Sequence, residues 1–232
     1  MTNDGSSTRA PFQPFPLYFI TQPHPVLFNG PGTVVEGVVE AMEGGARLVQ
    51  YRDKDVSRRE MYEVARRLRD VTTPRGVTLI INDHVDLALA VGADGVHLGQ
   101  TDLPIWVARK LLGDAAVVGI STHNLEQAMR AQREGADYIG LGPIFQTRTK
   151  QMDADSGGPL GVEALTQVKR EVGIPLYAIG GIQRGCLPEI MTAGADGVAA
   201  ISAFSGAVRE TVRAWIADLE VLTNHRMRGK VA

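Results

Sequence analysis

The pattern that most constrains this chain is an alternation of short apolar runs with longer segments of helical period. Each apolar run is closed by Gly, Asn, Asp, Ser or Thr, as strands followed by turns are. This alternation is typical of repeated β/α units. We predict eight strands, at residues 17–21, 48–52, 77–82, 95–98, 117–121, 138–141, 176–179 and 198–202.

The segments between the strands carry apolar residues three and four positions apart, which predicts helices. The clearest of them are residues 58–69, 104–112, 125–134 and 187–193. A Gly-Ala-Asp triplet recurs at residues 92–94, 135–137 and 194–196, each time between a predicted helix and the next strand. Gly is the usual residue at a left-handed helix end, so the triplet indicates a repeated unit.

Eight such units form either an open doubly wound sheet or a closed barrel. The open sheet usually has a glycine-rich turn after its first strand, whereas the glycines here cluster after the seventh, at Gly180-Gly181. Barrels commonly bind phosphate at the loops after strands seven and eight. We therefore predict a single-domain α/β fold, a (β/α)8 TIM barrel over residues 16–223, with its active site at the carboxyl ends of the strands.

The ends and the charge limit the partners. Residues 1–15 are polar and predict a disordered arm, and residues 224–232 predict a short basic tail. The net charge is −2, so no overall positive charge favours nucleic acid. No apolar run approaches the length of about 20 residues that spans a bilayer. We therefore predict neither a nucleic-acid nor a membrane partner. Cys186 is the single cysteine, which excludes an intrachain disulfide and favours the cytoplasm. The sequence leaves open whether the chain forms a homo-oligomer.

The second strand ends in a polar series. Because side chains alternate along a strand, Gln50 and Arg52 share one face, and Lys54 continues beyond it. If this face points into the barrel, a guanidinium and an ammonium group suited to pyrophosphate oxygens lie at its mouth. An outward-facing strand with solvated basic residues is an equal alternative.

Two carboxylates follow neighbouring strands. Asp83 comes directly after the third strand, and Asp102 lies in the loop after the fourth. Mg²⁺ prefers one or two carboxylates together with waters and substrate phosphate oxygens, so the pair predicts a magnesium site. Each Asp taken singly could instead cap a helix.

Hydroxyl and basic residues follow the fifth and sixth strands. Ser121 either contacts a ligand or caps the helix that begins near residue 125. The loop at 142–161 is the longest one and contains Thr147, Arg148, Thr149 and Lys150, an anion-binding series in a segment typical of a lid.

Backbone N–H groups of Gly180-Gly181 and Ile201-Ser202 predict a phosphate site after the last two strands. His97, inside the fourth strand, is interpreted as a core residue rather than a catalyst. No nucleophile and base stand at a familiar spacing.

Taken in order, the motifs resemble the thiamine phosphate synthase family from about residue 17 to residue 204. The matching segments are Gln50-Tyr51-Arg52-Asp53-Lys54, Ile81-Asn82-Asp83, residues 97–102, residues 142–150, residues 179–182 and Ile201-Ser202. Strand one departs from the family pattern, since Gln22 follows Thr21 where we expect an acid.

The resemblance implies a transferase that joins a hydroxymethylpyrimidine diphosphate to a thiazole phosphate and releases pyrophosphate. It implies Mg²⁺ at Asp83 and Asp102 and catalytic roles for Arg52, Lys54, Ser121 and Lys150. It also implies a set of substrate-binding residues: Gln50, Tyr51, Arg52, Asp53, Lys54, Asn82, Ser121, Thr147, Arg148, Thr149, Lys150, Gly181, Ile201 and Ser202. In this family the diphosphate is thought to leave before the thiazole nitrogen attacks, which fits the absence of a strong nucleophile.

Two alternatives remain. A thiazole tautomerase shares the phosphate site but moves protons, and His123 keeps this reading open. A barrel that has lost activity and only binds a phosphorylated ligand is the other. The diphosphate and metal positions at Lys54, Asp83 and Asp102 argue against both.

Overall fold

The computed structural model describes residues 12–21, 33–147, 158–204 and 206–229, with side chains to residue 225. Within them eight parallel strands close into a barrel in chain order, β1 to β8. The predicted TIM barrel is confirmed. The strands are Leu17–Ile20 (β1), Leu48–Tyr51 (β2), Thr78–Asn82 (β3), Gly95–Leu98 (β4), Val117–Thr122 (β5), Tyr138–Leu141 (β6), Leu176–Ile179 (β7) and Gly197–Ala200 (β8).

Helices separate the strands along the chain and cover the outside of the barrel. They are Val34–Glu43 (α1), Arg58–Thr72 (α2), Val85–Val91 (α3), Ile105–Leu112 (α4), Leu125–Arg133 (α5), Glu163–Glu171 (α6), Leu187–Thr192 (α7) and Val208–Gly229 (α8). Thr33 and Ser57 begin α1 and α2 with reciprocal capping boxes, which explains why these two helices start where they do. No helix among the described residues has the length and apolarity needed to cross a membrane.

The strands divide their side chains between two cores. On β1, Tyr18 and Ile20 face the barrel interior, whereas Leu17 and Phe19 pack against the helices. The interior holds three tyrosines among aliphatic side chains, and these rings stack edge to face, with centroids 5.3 to 5.6 Å apart. An interior this full is a packed core and not a pore.

The Gly-Ala-Asp triplets hold the amino-terminal end of the barrel together. In each triplet the aspartate accepts a hydrogen bond from the first or second N–H of the preceding strand. It also pairs with a basic residue of the helix that comes before that strand. The three sets are Asp94 with Leu79 and Arg69, Asp137 with Val118 and Arg109, and Asp196 with Leu176 and Lys169.

Parts of the predicted arm and of the predicted tail belong to the described residues. Within the predicted arm, the Phe12 ring packs against the Tyr138 ring with centroids 5.2 Å apart. The Phe15 N–H donates a hydrogen bond to the Tyr177 hydroxyl oxygen at 3.0 Å. At the other end α8 continues through Gly229, so the described part of the predicted tail is helical. The rest of both segments lies outside the described residues.

Candidate active site

A small cavity lies at the carboxyl ends of the strands, above the tyrosines of the interior. It is lined by polar side chains predicted from the sequence and by one that was not chosen, His97. The predicted ones are Gln50, Arg52, Asn82 and Ser121, with Ile201 completing one wall. The polar face of β2 therefore points inward, and the alternative of an outward-facing strand is excluded.

Thr21 fixes the position of Arg52. The Thr21 side chain is buried, accepts a hydrogen bond from the Arg52 N–H at 2.9 Å, and donates to the Arg52 carbonyl at 3.1 Å. These contacts hold the segment after β2 against the end of β1. Burial lowers the pKa of Arg52, while the charges of Asp83, Asp55 and Asp53 raise it, and the guanidinium remains protonated.

Lys54, Asp83 and Asp102 meet at the mouth of the barrel. Lys54 Nζ lies 3.2 Å from Asp83 Oδ2, and the carboxyl groups of Asp83 and Asp102 are close enough to share a proton. Asp83 adopts a left-handed backbone conformation with φ of 60°, and its N–H donates to the His97 carbonyl at 2.8 Å. Such a conformation is rare for residues other than glycine and is frequent at functional sites.

The pKa values of the two carboxyl groups move in opposite directions. Burial would raise the pKa of Asp83, but the charge of Lys54 and hydrogen bonds from Asp102 and Lys54 lower it overall. Burial raises the pKa of Asp102. The hydrogen bond from the Gly99 N–H opposes this rise and the charge of Asp83 adds to it, so the pKa is raised overall. Two carboxyl groups in contact are stable when they share a proton or hold a cation between them. The pair therefore suits a cation.

Neither aspartate caps a helix. Helix α3 begins after His84 and α4 after Pro104, and neither helix has a capping side-chain hydrogen bond. Asp102 instead accepts the Gly99 N–H at 2.6 Å, which fixes it in the loop after β4.

Ser121 does not cap a helix either. Asn124 caps α5 by accepting the Gln127 N–H at 2.8 Å. The Ser121 hydroxyl lies 2.9 Å from His97 Nε2 at the edge of the cavity. His97 is thus a site residue that the sequence interpretation missed, and its inward parity on β4 was the signal that could have identified it.

The segments after β6 and β7 pack against each other. Phe145 N–H donates to the Gly180 carbonyl at 3.0 Å, and Gly181 has φ of 67°. A Cβ atom at Gly181 would lie 2.4 Å from the Gln146 carbonyl oxygen, so only glycine fits there. This contact brings Thr147, the last described residue of the segment, beside the end of β7.

Known proteins resemble this chain closely enough to show its family. A family model described as thiamine monophosphate synthase matches residues 17–204. The chain belongs to this family. A thiamine-phosphate synthase of Chloroflexus aurantiacus is 52% identical over 167 residues, covering 72% of this chain and 76% of that protein. One of Shouchella clausii is 44% identical over 210 residues, covering 90% and 98%.

A solved structure of the same family has the same fold. The thiamine phosphate pyrophosphorylase from Pyrococcus furiosus matches with a TM-score of 0.75 and 38% identity, over 88% of this chain and 96% of that one. The prediction of a transferase of thiamine biosynthesis, a thiamine-phosphate synthase, is confirmed by this membership.

Three further predicted site residues do not line the cavity: Tyr51, Asp53 and Ser202. Tyr51 points away from the cavity and is buried among the strands and helices of the outer core. Asp53 accepts the Asp55 N–H at 3.1 Å, so it shapes the turn after β2. Ile201 and Ser202 follow β8, with Ser202 opening a short 3-10 helix. Arg148, Thr149 and Lys150 lie outside the described residues, as does half of the predicted lid.

His123, which kept a tautomerase open, has a structural contact. Its Nδ1 lies 2.5 Å from the Gly142 carbonyl oxygen, at the turn after β6. The histidine therefore joins the segment after β5 to the turn after β6. Among the described residues, no group of three or more His, Cys, Asp or Glu side chains is placed to hold a metal.

Proposed function

We propose that the chain transfers the pyrimidinylmethyl group of 4-amino-2-methyl-5-pyrimidinylmethyl diphosphate to 4-methyl-5-(2-phosphoethyl)thiazole or its carboxylated form. The products are thiamine phosphate and pyrophosphate, and the reaction depends on Mg²⁺. The observation that carries this proposal is the cluster of Lys54, Asp83 and Asp102 beside Arg52 at the barrel mouth.

The leaving diphosphate defines what the site must do. As the bond from the pyrimidinylmethyl carbon to the diphosphate oxygen breaks, negative charge grows on the leaving group. Arg52 and Lys54 supply positive charge there, and Lys150, from the segment after β6, is assigned the same role. Preorganised charges of this kind supply a large part of the rate enhancement in many enzymes.

Asp83 and Asp102 would hold the magnesium ion. Two carboxylates are enough, because Mg²⁺ usually keeps several waters and takes further oxygens from a substrate phosphate. When bound, the ion neutralises charge on the leaving diphosphate. Lys54, 3.2 Å from Asp83, keeps that carboxylate ionised and ready to bind a cation.

The cavity below the mouth suits the pyrimidine ring. Gln50 and Asn82 offer amide groups to its nitrogens, while Ile20, Ile179 and Ala199 provide apolar walls. A pyrimidinylmethyl cation reacts with any water that reaches it. Apolar walls that keep water out therefore favour capture by the thiazole nitrogen.

The thiazole phosphate is assigned to the ends of β7 and β8. The backbone N–H groups of Gly181, Ile201 and Ser202 and the hydroxyl groups of Thr147 and Thr149 are the proposed contacts. The positive φ of Gly181 exposes backbone N–H groups in the way that anion-binding turns do.

We also place the reaction in the cytoplasm, with small phosphorylated molecules as partners and neither nucleic acid nor membrane. The support is the single cysteine and the net charge of −2 over the whole chain.

The test is to incubate the purified protein with both substrates and Mg²⁺ and to quantify thiamine phosphate and pyrophosphate together. We expect the two products in equal amounts. Turnover of a thiazole carboxylate phosphate tautomer, with no thiamine phosphate formed, would replace the proposal with a tautomerase. Ligand binding without any turnover would replace it with a binding module.

A further inference from the structure

A continuous line of hydrogen bonds crosses the barrel interior below the active-site mouth. Gln50 Nε2 donates to the Tyr18 hydroxyl at 2.6 Å, and the Tyr18 and Tyr138 hydroxyls are 2.6 Å apart. The Tyr138 hydroxyl lies 3.1 Å from His97 Nδ1, and His97 Nε2 lies 2.9 Å from Ser121 Oγ. We refer to these five side chains as the Gln50–Ser121 relay. Both of its ends line the cavity.

The relay has a direction because each hydroxyl group has only one proton. Tyr18 accepts from Gln50, and among the described residues its hydroxyl otherwise contacts only Tyr138. If Tyr138 donated to Tyr18, the buried Tyr18 proton would be left without an acceptor, which folded proteins avoid. Tyr18 therefore donates to Tyr138.

The same reasoning sets the histidine tautomer. Tyr138 accepts from Tyr18, so its own proton goes to His97 Nδ1. Burial raises the pKa of both tyrosines well above the ordinary value, so both keep their protons. With Nδ1 as an acceptor, the neutral imidazole carries its proton on Nε2 and donates it to Ser121 Oγ.

We propose that Tyr18, Tyr138 and His97 are positioning residues that turn the Ser121 hydroxyl proton toward the cavity, where Ser121 donates it in a hydrogen bond to the leaving diphosphate. The inference rests on the proposed function, since the diphosphate is the anion that this hydroxyl meets. A relay running the other way would make Ser121 donate to His97. Ser121 would then present only lone pairs to the diphosphate, and these do not stabilise the negative charge that grows as it leaves.

The first test is spectroscopic and needs no variant of the relay. In protein with ¹⁵N-labelled histidine, the ring nitrogen shifts of His97, assigned with His97→Gln, report which nitrogen bears the proton. We expect the Nε2–H tautomer in the wild type and a mixture in Tyr138→Phe. The Nδ1–H tautomer in the wild type, or an unchanged tautomer in Tyr138→Phe, would overturn the proposal.

Tyr177→Phe is the matched control. Tyr177 belongs to the same buried cluster, but its hydroxyl bonds the backbone of Phe15 at 3.0 Å and takes no part in the relay. We expect this variant to keep the wild-type tautomer. A tautomer change there would mean that cluster packing, and not the relay, sets the proton.

The second test is a double-mutant cycle in kcat. Ser121→Ala is expected to lower kcat about 100-fold, the usual loss for one hydrogen-bond donor to a developing anion, and Tyr138→Phe about tenfold, as a part of that loss. Tyr138→Phe in the Ser121→Ala background is expected to cause no further loss, because Tyr138 acts through Ser121. Equal losses in both backgrounds would assign Tyr138 a structural role only.

The two proposals fail separately. A wild-type protein that makes no thiamine phosphate would refute the proposed function, while the tautomer measurement would still decide the direction of the relay. Active wild-type protein with the Nδ1–H tautomer would refute the relay alone.

Discussion

At the scale of single residues, Lys54 is the cation whose role is easiest to isolate. It stands in the turn after β2, more than half exposed, with Nζ 3.2 Å from Asp83. Lys54→Gln is expected to lower kcat about 100-fold, because it removes a positive charge from the place where we propose that the leaving diphosphate gains negative charge. Steady-state kinetics with both substrates measures this loss.

The control for Lys54 is Lys110, an exposed lysine in the last turn of α4. Lys110→Gln removes the same charge from the surface, away from the carboxyl ends of the strands. An equal loss of kcat in both variants would show that net charge, and not position, accounts for the effect.

The sequence predicted site residues whose position follows from the alternation of side chains along a strand. It missed a residue whose role depends on tertiary contacts. Gln50 and Arg52 could be placed because strand parity puts them on one face. Tyr51, included through the family motif, has the opposite parity and points to the outer core. His97 was interpreted as a core residue, since a buried histidine alone does not reveal that two hydroxyl groups will contact its ring nitrogens.

At the scale of the elements, the Gly-Ala-Asp triplets fix the starts of β4, β6 and β8. Asp137 accepts the Val118 N–H at 2.6 Å and pairs with Arg109 at 2.7 Å, with both side chains largely buried. Asp137→Asn is expected to lower the free energy of unfolding by about 1–3 kcal/mol, the range for a lost hydrogen bond to a charged group. Chemical denaturation measures the change.

Asp70→Asn is the comparison for Asp137. Asp70 pairs with Arg66 on the exposed face of α2 at 3.3 Å, and such pairs contribute at most about 1 kcal/mol. We expect little change in unfolding. If both variants lose the same amount of stability, the backbone contact of Asp137 has no special role.

Element positions could largely be predicted because hydrophobic period and turn residues are local signals. The predicted strand at 198–202 differs most. The structure begins β8 at Gly197 and ends it at Ala200, because Ser202 already belongs to a 3-10 helix. The triplets predicted where helices end and strands begin, but not that each carboxylate binds a neighbouring strand and a basic residue from an earlier helix.

At the scale of the whole molecule, three tyrosine side chains fill much of the barrel interior. Gly119 on β5 lies against Tyr138, and a Cβ atom there would come within 2.0 Å of the Tyr138 ring. Gly119→Ala is expected to lower the free energy of unfolding by about 1–3 kcal/mol through overpacking. Thermal and chemical unfolding measure it.

Gly185→Ala provides the control for that substitution. Among the described residues, no atom beyond Gly185 and its two chain neighbours lies within 4 Å of the Cβ position there. Its stability is expected to stay within about 0.5 kcal/mol of the wild type. A similar loss in the two variants would mean that close packing at Gly119 is not the cause.

The direct test of the proposed metal site is turnover of the wild type and of Asp83→Ala across a Mg²⁺ titration. We propose that Asp83 and Asp102 hold the ion where the diphosphate leaves. We predict Mg²⁺-dependent formation of thiamine phosphate by the wild type and a loss of kcat of about 100-fold or more in the folded variant. Turnover like the wild type in Asp83→Ala, or full activity of the wild type in a chelator, would contradict it.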